Sequence, residues 1–330
     1  MTAFIDSYDV ALFDLDGVLY LGPAAVEDAV AGVGRLSTQG IRPFYVTNNA
    51  ARSTAVVAAH LVDLGFPAHE LDVISSAQAT VGMLAQELPV GASILVAGSG
   101  NLVQLIEDAG FRAVFSADDN PVAVVQGYDP AMTWPRLDEA GLAVQRGARW
   151  IATNTDSTRP TERGRVPGAG MMVAAVQATV DIEPEIIGKP HRPLMAEAMR
   201  RTGAINPVFV GDRIDTDIMG AHTVGIDSFM VFTGAHGVLD LCRAPVHGRP
   251  TAIGWNVASL FEPTRTAEPA ADGVRCGATV VTASNGVAAV EGDLSSRTAQ
   301  LDAAWALATL CWTGVVSQPE PVAQLLRELP

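Results

Sequence analysis

The chain has 330 residues, of which 48% are hydrophobic and 17% charged, and its formal net charge is −15. That length supports two or three domains with real cores, and the composition excludes a disordered chain. The acidic balance opposes nucleic-acid and anionic-membrane partners, which need a basic footprint.

In chain order, the opening MTAFIDSYDV has neither a basic start nor an apolar h-region, which predicts no secretory signal. Tyr8–Phe13 is a short, mostly apolar run of the kind buried on both faces of a parallel sheet. It leads directly into Asp14-Leu15-Asp16-Gly17. In a strand, residues i and i+2 project to one side. Asp14 and Asp16 are therefore expected together at the carboxyl end of the first strand, where open α/β sheets place ligands. Two carboxylates that close stay ionised only if a cation joins them; otherwise one takes a proton. Mg²⁺ favours oxygen ligands and leaves room for a phosphate, and a carboxylate can itself attack phosphorus. Asp and Gly are also common in turns, so DxDG alone leaves a plain turn open.

Val26–Thr38 carries small and apolar residues at helical spacing, and Ile41–Val46 is a second candidate strand. It ends in Thr47-Asn48-Asn49, a hydroxyl and two amides that suit phosphate oxygens and equally suit a turn or cap. Ser53 is placed to cap a helix running to about Leu64, with Gly65 to end it. This βαβ alternation predicts a doubly wound parallel sheet. A further α/β passage follows, with strands at Ser93–Ala97, Val122–Gln126 and Trp150–Ala152 and helices at Leu102–Ala109 and Leu137–Arg146. It reads as an insertion. Gly188-Lys189-Pro190-His191 then sets a lysine, a compact point charge suited to phosphate, before a proline and a helix over His191–Arg201. A solvated surface lysine is the plain alternative. The strand Val208–Val210 runs into Gly211-Asp212, and Asp212 is placed to complete a metal shell. Asp217 can cap the helix Asp215–Thr223 or hydrogen-bond metal-bound groups, whereas Asp215 points off that axis as a capping or surface residue. Phe229–Phe232 is the next strand.

A composition break at Glu262–Gly273 reads as a linker. Beyond it, Ala278–Ala283 and Val287–Glu291 flank Asn285-Gly286, a strong hairpin signal. Ser295 or Ser296 can cap a helix through Trp312, and Pro321–Leu329 can form another. The tail is thus a small ββα module whose Trp305, Leu307, Leu310 and Trp312 offer apolar surface for packing. A subunit-contact or ligand-sensing role is the alternative. Cys242, Cys276 and Cys311 lack metal-type spacing and are odd in number, which predicts unpaired thiols in a reducing compartment. With no apolar run of membrane-spanning length, a soluble cytoplasmic protein is expected.

The acid pair, the Thr/Asn strand end, the lysine and the Gly-Asp each follow or adjoin an expected sheet strand. In that order they resemble the four motifs of the haloacid dehalogenase superfamily. DLDGVLYLG, VTNN, ATNTD, the GAG of PGAGMM, IIGKP and GDRIDTDI resemble its type IIA phosphatases over about residues 8–240. The resemblance implies a Rossmann-like α/β core from 1–77 and 186–262 and an α/β cap inserted at 78–185. The module at 273–330 matches nothing in the family. It implies Asp14 as nucleophile and Asp16 as general acid/base. The side chains of Asp14 and Asp212 and the backbone carbonyl of Asp16 would hold Mg²⁺, with Asp217 behind them. Thr47, Asn48, Asn49 and Lys189 would hold the phosphoryl group. The family's Asn-Pro-Asp in the cap is here Asn154-Thr155-Asp156, which puts that turn in question. The implied function is a Mg²⁺-dependent phosphomonoesterase for a small phosphorylated metabolite, glycerol 3-phosphate or 2-phosphoglycolate first. Pyridoxal phosphate or a nucleotide is the alternative substrate. The implied partner is that metabolite, with no nucleic acid or membrane, and a homo-oligomer is left open. A dehalogenase would not need Asp16 to protonate an alkoxide. A phospho-aspartate receiver-like binding protein is the rival of another class.

Overall fold

A computed structural model describes residues 2–161 and 163–329. The chain folds into two compact units, 1–44 with 204–330, and 45–203.

In the first unit the strands Ala252–Gly254, Asp227–Val231, Pro207–Gly211 and Val10–Phe13 lie side by side in that order, and each neighbouring pair is parallel. Val10, Ala11, Leu12 and Phe13 are all fully buried. A strand covered on both faces reads as a continuous apolar run, and this is why VALF shows no alternation. The register sets Phe13 opposite Val210, so the residues after both strands emerge at the same end of the sheet. The helix Ala29–Thr38 comes close enough to the sheet-edge segment for a Cβ on Gly32 to lie 3.0 Å from Val257.

The tail differs from its expected form. It is a four-stranded antiparallel meander, Ala267–Ala270, Gly273–Cys276, Thr279–Ser284 and Val287–Glu291, and the expected linker 262–273 supplies its first strand. That strand contains Pro269, which has no N–H for a ladder; it is tolerated because the strand is an edge of the sheet. The Asn285-Gly286 turn is present, with φ of 51° and 79°, the pair of positive values that a type I′ hairpin needs. Ser296 caps the helix Arg297–Trp312 through Ala299 N–H at 3.2 Å. The second expected helix shortens to Glu320–Ala323. The described cysteines are free thiols.

Tail and sheet are not separate bodies. Ile214, Met230, Phe232, Leu241 and Ile253 share one buried cluster with Val281, Ala288, Leu301 and Leu307. The indole N–H of Trp312 donates to Leu241 O at 2.9 Å, and Arg243 pairs with Glu320 at 2.7 Å.

In the second unit Tyr45–Thr47 pairs in parallel with Val73–Ser75. A five-stranded parallel sheet follows, in the order Glu185–Ile186, Arg149–Ala152, Ala123–Gln126, Ser93–Ala97, Arg112–Val114. Leu95, Val124, Trp150 and Val173 are among its buried core. The hairpin Thr158–Thr161 with Gly164–Pro167 precedes the helix Ala169–Gln177. Position 77 lies inside the helix Ser76–Glu87, and position 185 opens the strand Glu185–Ile186. Among the described residues no helix is long and apolar enough to cross a membrane.

Because the tail shares the sheet's core, Leu307→Ala should lower the stability of the whole first unit by about 2–5 kcal/mol, the usual cost of removing a buried Leu. Urea unfolding followed by tryptophan fluorescence and by far-UV circular dichroism should show one shifted transition in both signals. An unshifted midpoint would mean that the tail contributes nothing to the core.

Candidate active site

The first unit gathers acids at one end of its sheet. Asp14 N–H still donates to Val210 O at 2.9 Å, so Asp14 extends the ladder one residue beyond Phe13. Asp212 follows the neighbouring strand. Asp217 sits in the π-helical turn Ile214–Ile218. Asp14, Asp212 and Asp217 each place one carboxylate oxygen within 4.8 Å of the others. Asp212 and Asp217 are 1% and 0% exposed. Three ionised groups at that spacing repel by about 3 kcal/mol per pair at an effective dielectric of ~20, so the cluster needs donors or a cation.

The donors are built in. Asp212 Oδ2 accepts from Ala235 N–H at 2.6 Å. Asp217 Oδ2 accepts from Arg213 N–H at 3.1 Å, and the Thr216 hydroxyl donates to Asp217 Oδ1 at 3.3 Å. Close backbone approach makes this packing possible. A Cβ on Gly234 would lie 1.9 Å from Asp212 Oδ2, and one on Gly17 would lie 2.6 Å from it. Gly17 also has φ +91°, a region that suits glycine. Thr233 Oγ1 donates to Gly17 O at 2.6 Å, which ties the loop after the strand Asp227–Val231 to the DxDG loop. An all-oxygen, anionic set of this kind fits a hard divalent cation.

Asp16 lies in the turn that follows the strand, and it is not one of the three clustered acids. The strand ends at Phe13, and Leu19 N–H and Gly17 N–H turn back to Leu15 O and Tyr20 O at 2.9 Å each. In that turn the i, i+2 rule no longer applies, and Asp16 is exposed. The third carboxylate of the cluster is Asp217, which the sequence suggested as a cap or a group behind the metal. Its carboxylate does reach back to a turn N–H, as a cap does. Asp215 is exposed and pairs with Arg213 at 2.7 Å.

The second unit gathers the polar groups. Thr47 is buried at the end of its strand, and its hydroxyl accepts from Asn49 N–H at 3.0 Å. Asn49 is exposed and accepts from Ala51 N–H at 2.9 Å, so its side-chain oxygen builds the turn. Asn48 joins three segments. Its Oδ1 accepts from Lys189 N–H at 2.8 Å, and its Nδ2 donates to Lys189 O at 3.1 Å and to the Asp156 carboxylate at 3.3 Å. Asn154 Nδ2 donates to Asn48 O at 2.8 Å. Lys189 is 4% exposed, with Nζ 3.3 Å from Val46 O. A Cβ on Gly188 would lie 2.7 Å from both Asn48 Oδ1 and Thr153 O, which accounts for the glycine of GKP.

Asn154 and Asp156 are organisers that residue-level reasoning did not single out, although ATNTD marked their place. The turn forms without a proline. Asp156 N–H donates to Asn154 Oδ1 at 3.1 Å, and Gly170 N–H donates to Asp156 O at 2.9 Å. A Cβ on Gly168 or Gly170 would strike the carbonyls of Asp156 or Thr155 at 2.2 and 2.3 Å, which explains the GAG.

A haloacid dehalogenase-like hydrolase profile matches residues 11–112, and a HAD-hydrolase-like profile matches 186–260. The chain is 41% identical over 265 residues to the D-glycerol 3-phosphate phosphatase of Mycobacterium tuberculosis (strain ATCC 25618 / H37Rv), spanning 80% of this chain and 74% of that protein. It is 34% identical to the 5'-nucleotidase YutF of Bacillus subtilis (strain 168), over 76% of this chain and 98% of that one. In three dimensions it is similar to the magnesium complex of the glycerol phosphate phosphatase Rv1692 from Mycobacterium tuberculosis. That comparison has a TM-score of 0.86 and 37% identity, covering 96% of this chain and 94% of the other.

Losing the Asn48 amide strands several partners at once. Asn48→Ala should destabilise the second unit by about 1–3 kcal/mol, the cost of leaving buried polar groups unsatisfied. Asn48→Asp should be no better, because it sets a second carboxylate against Asp156. Denaturant unfolding of the three proteins checks this. Wild-type stability in either variant would remove Asn48 as the hub.

Proposed function

The chain belongs to the haloacid dehalogenase-like hydrolases, and from that premise we propose that it is a Mg²⁺-dependent phosphomonoesterase working through an aspartyl-phosphate. The observation that carries this reading is the convergence of the Asp14, Asp212 and Asp217 carboxylates at one end of a parallel sheet. Membership of a hydrolase family sets aside the receiver-like alternative.

Both polar clusters are assigned to one reaction because their motifs occur in the family's order. Asp14, Asp212 and the backbone carbonyl of Asp16 are the groups that would hold Mg²⁺, with Asp217 supporting the turn behind them. When bound, the cation supplies charge neutralisation at the phosphoryl oxygens and lets the acids stay ionised. Thr47, Asn48, Asn49 and Lys189 are assigned to binding the phosphoryl group. An Asp14 oxygen attacks phosphorus as the phosphorus–oxygen bond to the leaving alcohol breaks, and Asp16 gives that oxygen its proton. Asp16, now a carboxylate, takes a proton from water, whose oxygen attacks the phosphorus. Phosphate leaves and Asp14 is restored. The exposure of Asp16 suits a group that exchanges protons with substrate and water. Segment 78–185 is read as the cap and 1–77 with 186–262 as the catalytic core.

Glycerol 3-phosphate is the favoured substrate. The glycerol phosphate phosphatase from Mycobacterium tuberculosis parallels this chain through most of its length. A nucleoside monophosphate is the second reading, favoured by the similarity to a 5'-nucleotidase; 2-phosphoglycolate has only the sequence resemblance behind it. Phosphate release from each, with and without Mg²⁺, ranks them. No Mg²⁺-dependent release from any phosphomonoester would end the phosphatase reading.

The two acids separate by leaving group. In Asp16→Asn, Asp14 can still attack. An alkyl phosphate should then slow by about 10²–10⁴-fold, because its poor leaving group needs the acid. p-Nitrophenyl phosphate should give a burst of nitrophenolate near one per active site and then slow turnover. Asp14→Asn should give no burst. Rapid-mixing absorbance measures both, and a normal burst in Asp14→Asn would remove the covalent mechanism.

A further inference from the structure

The loop Thr233–Gly237 does more than border the acid cluster. It follows the strand Asp227–Val231 and makes four bonds to the two loops that carry the acids. Thr233 Oγ1 donates to Gly17 O at 2.6 Å, and Ala235 N–H to Asp212 Oδ2 at 2.6 Å. His236 N–H donates to Asp212 O at 3.3 Å. The fourth is a side-chain bond, from Ile214 N–H to His236 Nδ1 at 2.9 Å.

That last bond completes a cap. A helical turn begins with N–H groups that have no partner within the turn. At the turn Ile214–Ile218 the Arg213 N–H goes to Asp217 Oδ2, a member of the acid cluster. The next N–H, on Ile214, goes to the imidazole of His236. His236 therefore grips the segment Asp212–Ile214 twice, by its own N–H and by its ring, while its neighbour Ala235 holds the Asp212 carboxylate. Accepting at Nδ1 places the ring proton on Nε2, which lies 3.8 Å from Asp215 Oδ1. The His236 side chain is 21% exposed, so the ring is wedged between loop and turn.

We propose that His236 is a positioning residue for Asp212: its Nδ1, by accepting the Ile214 N–H, locks the Asp212–Asp217 turn against the loop that orients the Asp212 carboxylate for a divalent cation. This rests on the reading of Asp212 as a metal ligand. Groups that orient ligands from behind typically contribute 10–100-fold to metal affinity or activity. Loss of the acceptor removes one of the bonds between turn and loop, and Asp212 then spends part of its time away from the orientation that binds metal. The requirement is for an acceptor at the δ position of the side chain. Asparagine offers one in Oδ1. Glutamine carries its amide one carbon further out.

Mg²⁺ binding measured by titration calorimetry tests this on the full chain. Wild type, Asp212→Asn, His236→Ala, His236→Asn and His236→Gln are compared, each with its thermal midpoint. The concentration of Mg²⁺ giving half-maximal p-nitrophenyl phosphate hydrolysis is read alongside. Expected are an about 10-fold or greater loss of affinity in His236→Ala and His236→Gln and recovery to within about threefold of wild type in His236→Asn. The half-activating Mg²⁺ concentration should rise by more than kcat at saturating Mg²⁺ falls. If His236→Ala does not fold, the contrast between His236→Asn and His236→Gln decides. Wild-type Mg²⁺ affinity in His236→Gln, with affinity lost in Asp212→Asn, overturns the proposal alone. So does equal loss in the Asn and Gln variants. Wild-type affinity in Asp212→Asn overturns the metal reading and this proposal with it.

Discussion

The mutual repulsion of three carboxylates within 4.8 Å is the constraint around which the first unit is organised. Parallel strands bring them together, because Val10–Phe13 and Pro207–Gly211 end in register. Nothing in strand pairing keeps them there. Retention comes from N–H groups aimed at the acids from Arg213 and Ala235 and from glycines that let the backbone come close. At Gly211 a Cβ would sit 2.2 Å from that of Asp217, and at Gly234 one would sit 1.9 Å from Asp212 Oδ2. Backbone N–H groups are fixed dipoles, and hydrogen bonds to an ionised acceptor are roughly twice as strong as neutral ones. The result is a set of acids that is affordable when charged and incomplete without a cation.

The second unit solves the opposite problem. Lys189 is a buried amine, and a buried cation is costly unless polar groups surround it. Its backbone is held at both N–H and C=O by one amide, Asn48, which also reaches Asp156. Three chain segments far apart in sequence thus meet at a single side chain. Two glycines at this junction leave no room for a side chain: Gly188 against Asn48 and Thr153, Gly170 against Thr155. The network is worth more than its separate bonds, because removing the hub leaves every partner unsatisfied together.

Much of this was legible in the sequence, and the failures have physical causes. The continuous apolar run VALF announced a strand buried on both faces and VFV a further strand, and Ser53 and the Ser295–Ser296 pair announced helix starts that Ser53 and Ser296 do cap. Period-two reasoning does not reach Asp16, because it assumes that the strand continues, and here the strand ends at Phe13. Val73–Ser75 and Arg112–Val114 are too short to show a period. The helix Ser76–Glu87 hides behind an interior glycine and β-branched residues, which weaken a propensity signal. The edge strand Ala267–Ala270 looked like a linker because proline and charge are what an exposed edge carries. The bonding roles of Asn154 and His236 were illegible for a different reason. Their partners are backbone groups of other loops, and no local pattern encodes a bond to a distant main chain.

The tail shows how such an addition can become inseparable from its host. The Bacillus subtilis 5'-nucleotidase is matched over 98% of its length by 76% of this chain, so about a quarter of this chain has no counterpart in it. The Mycobacterium tuberculosis phosphatase structure matches 96% of this chain, which leaves too few residues unmatched to omit the tail. In this chain the module adds its own sheet, yet that sheet has no core of its own: Val281 and Ala288 are buried in the same cluster as Phe232 and Ile253. A four-stranded meander with two helices, one of them a single turn, buries too little surface to stand alone, so it completes its core with the flank of the parallel sheet. Phe232 lies next to Thr233, which holds the DxDG loop, and Leu241 lies on the helix that begins after His236. Packing the tail therefore buttresses the loop that orients the acids. A module added for any purpose at this position acquires a structural hold on the candidate active site, because the surface it needs for its own stability is the back of that loop.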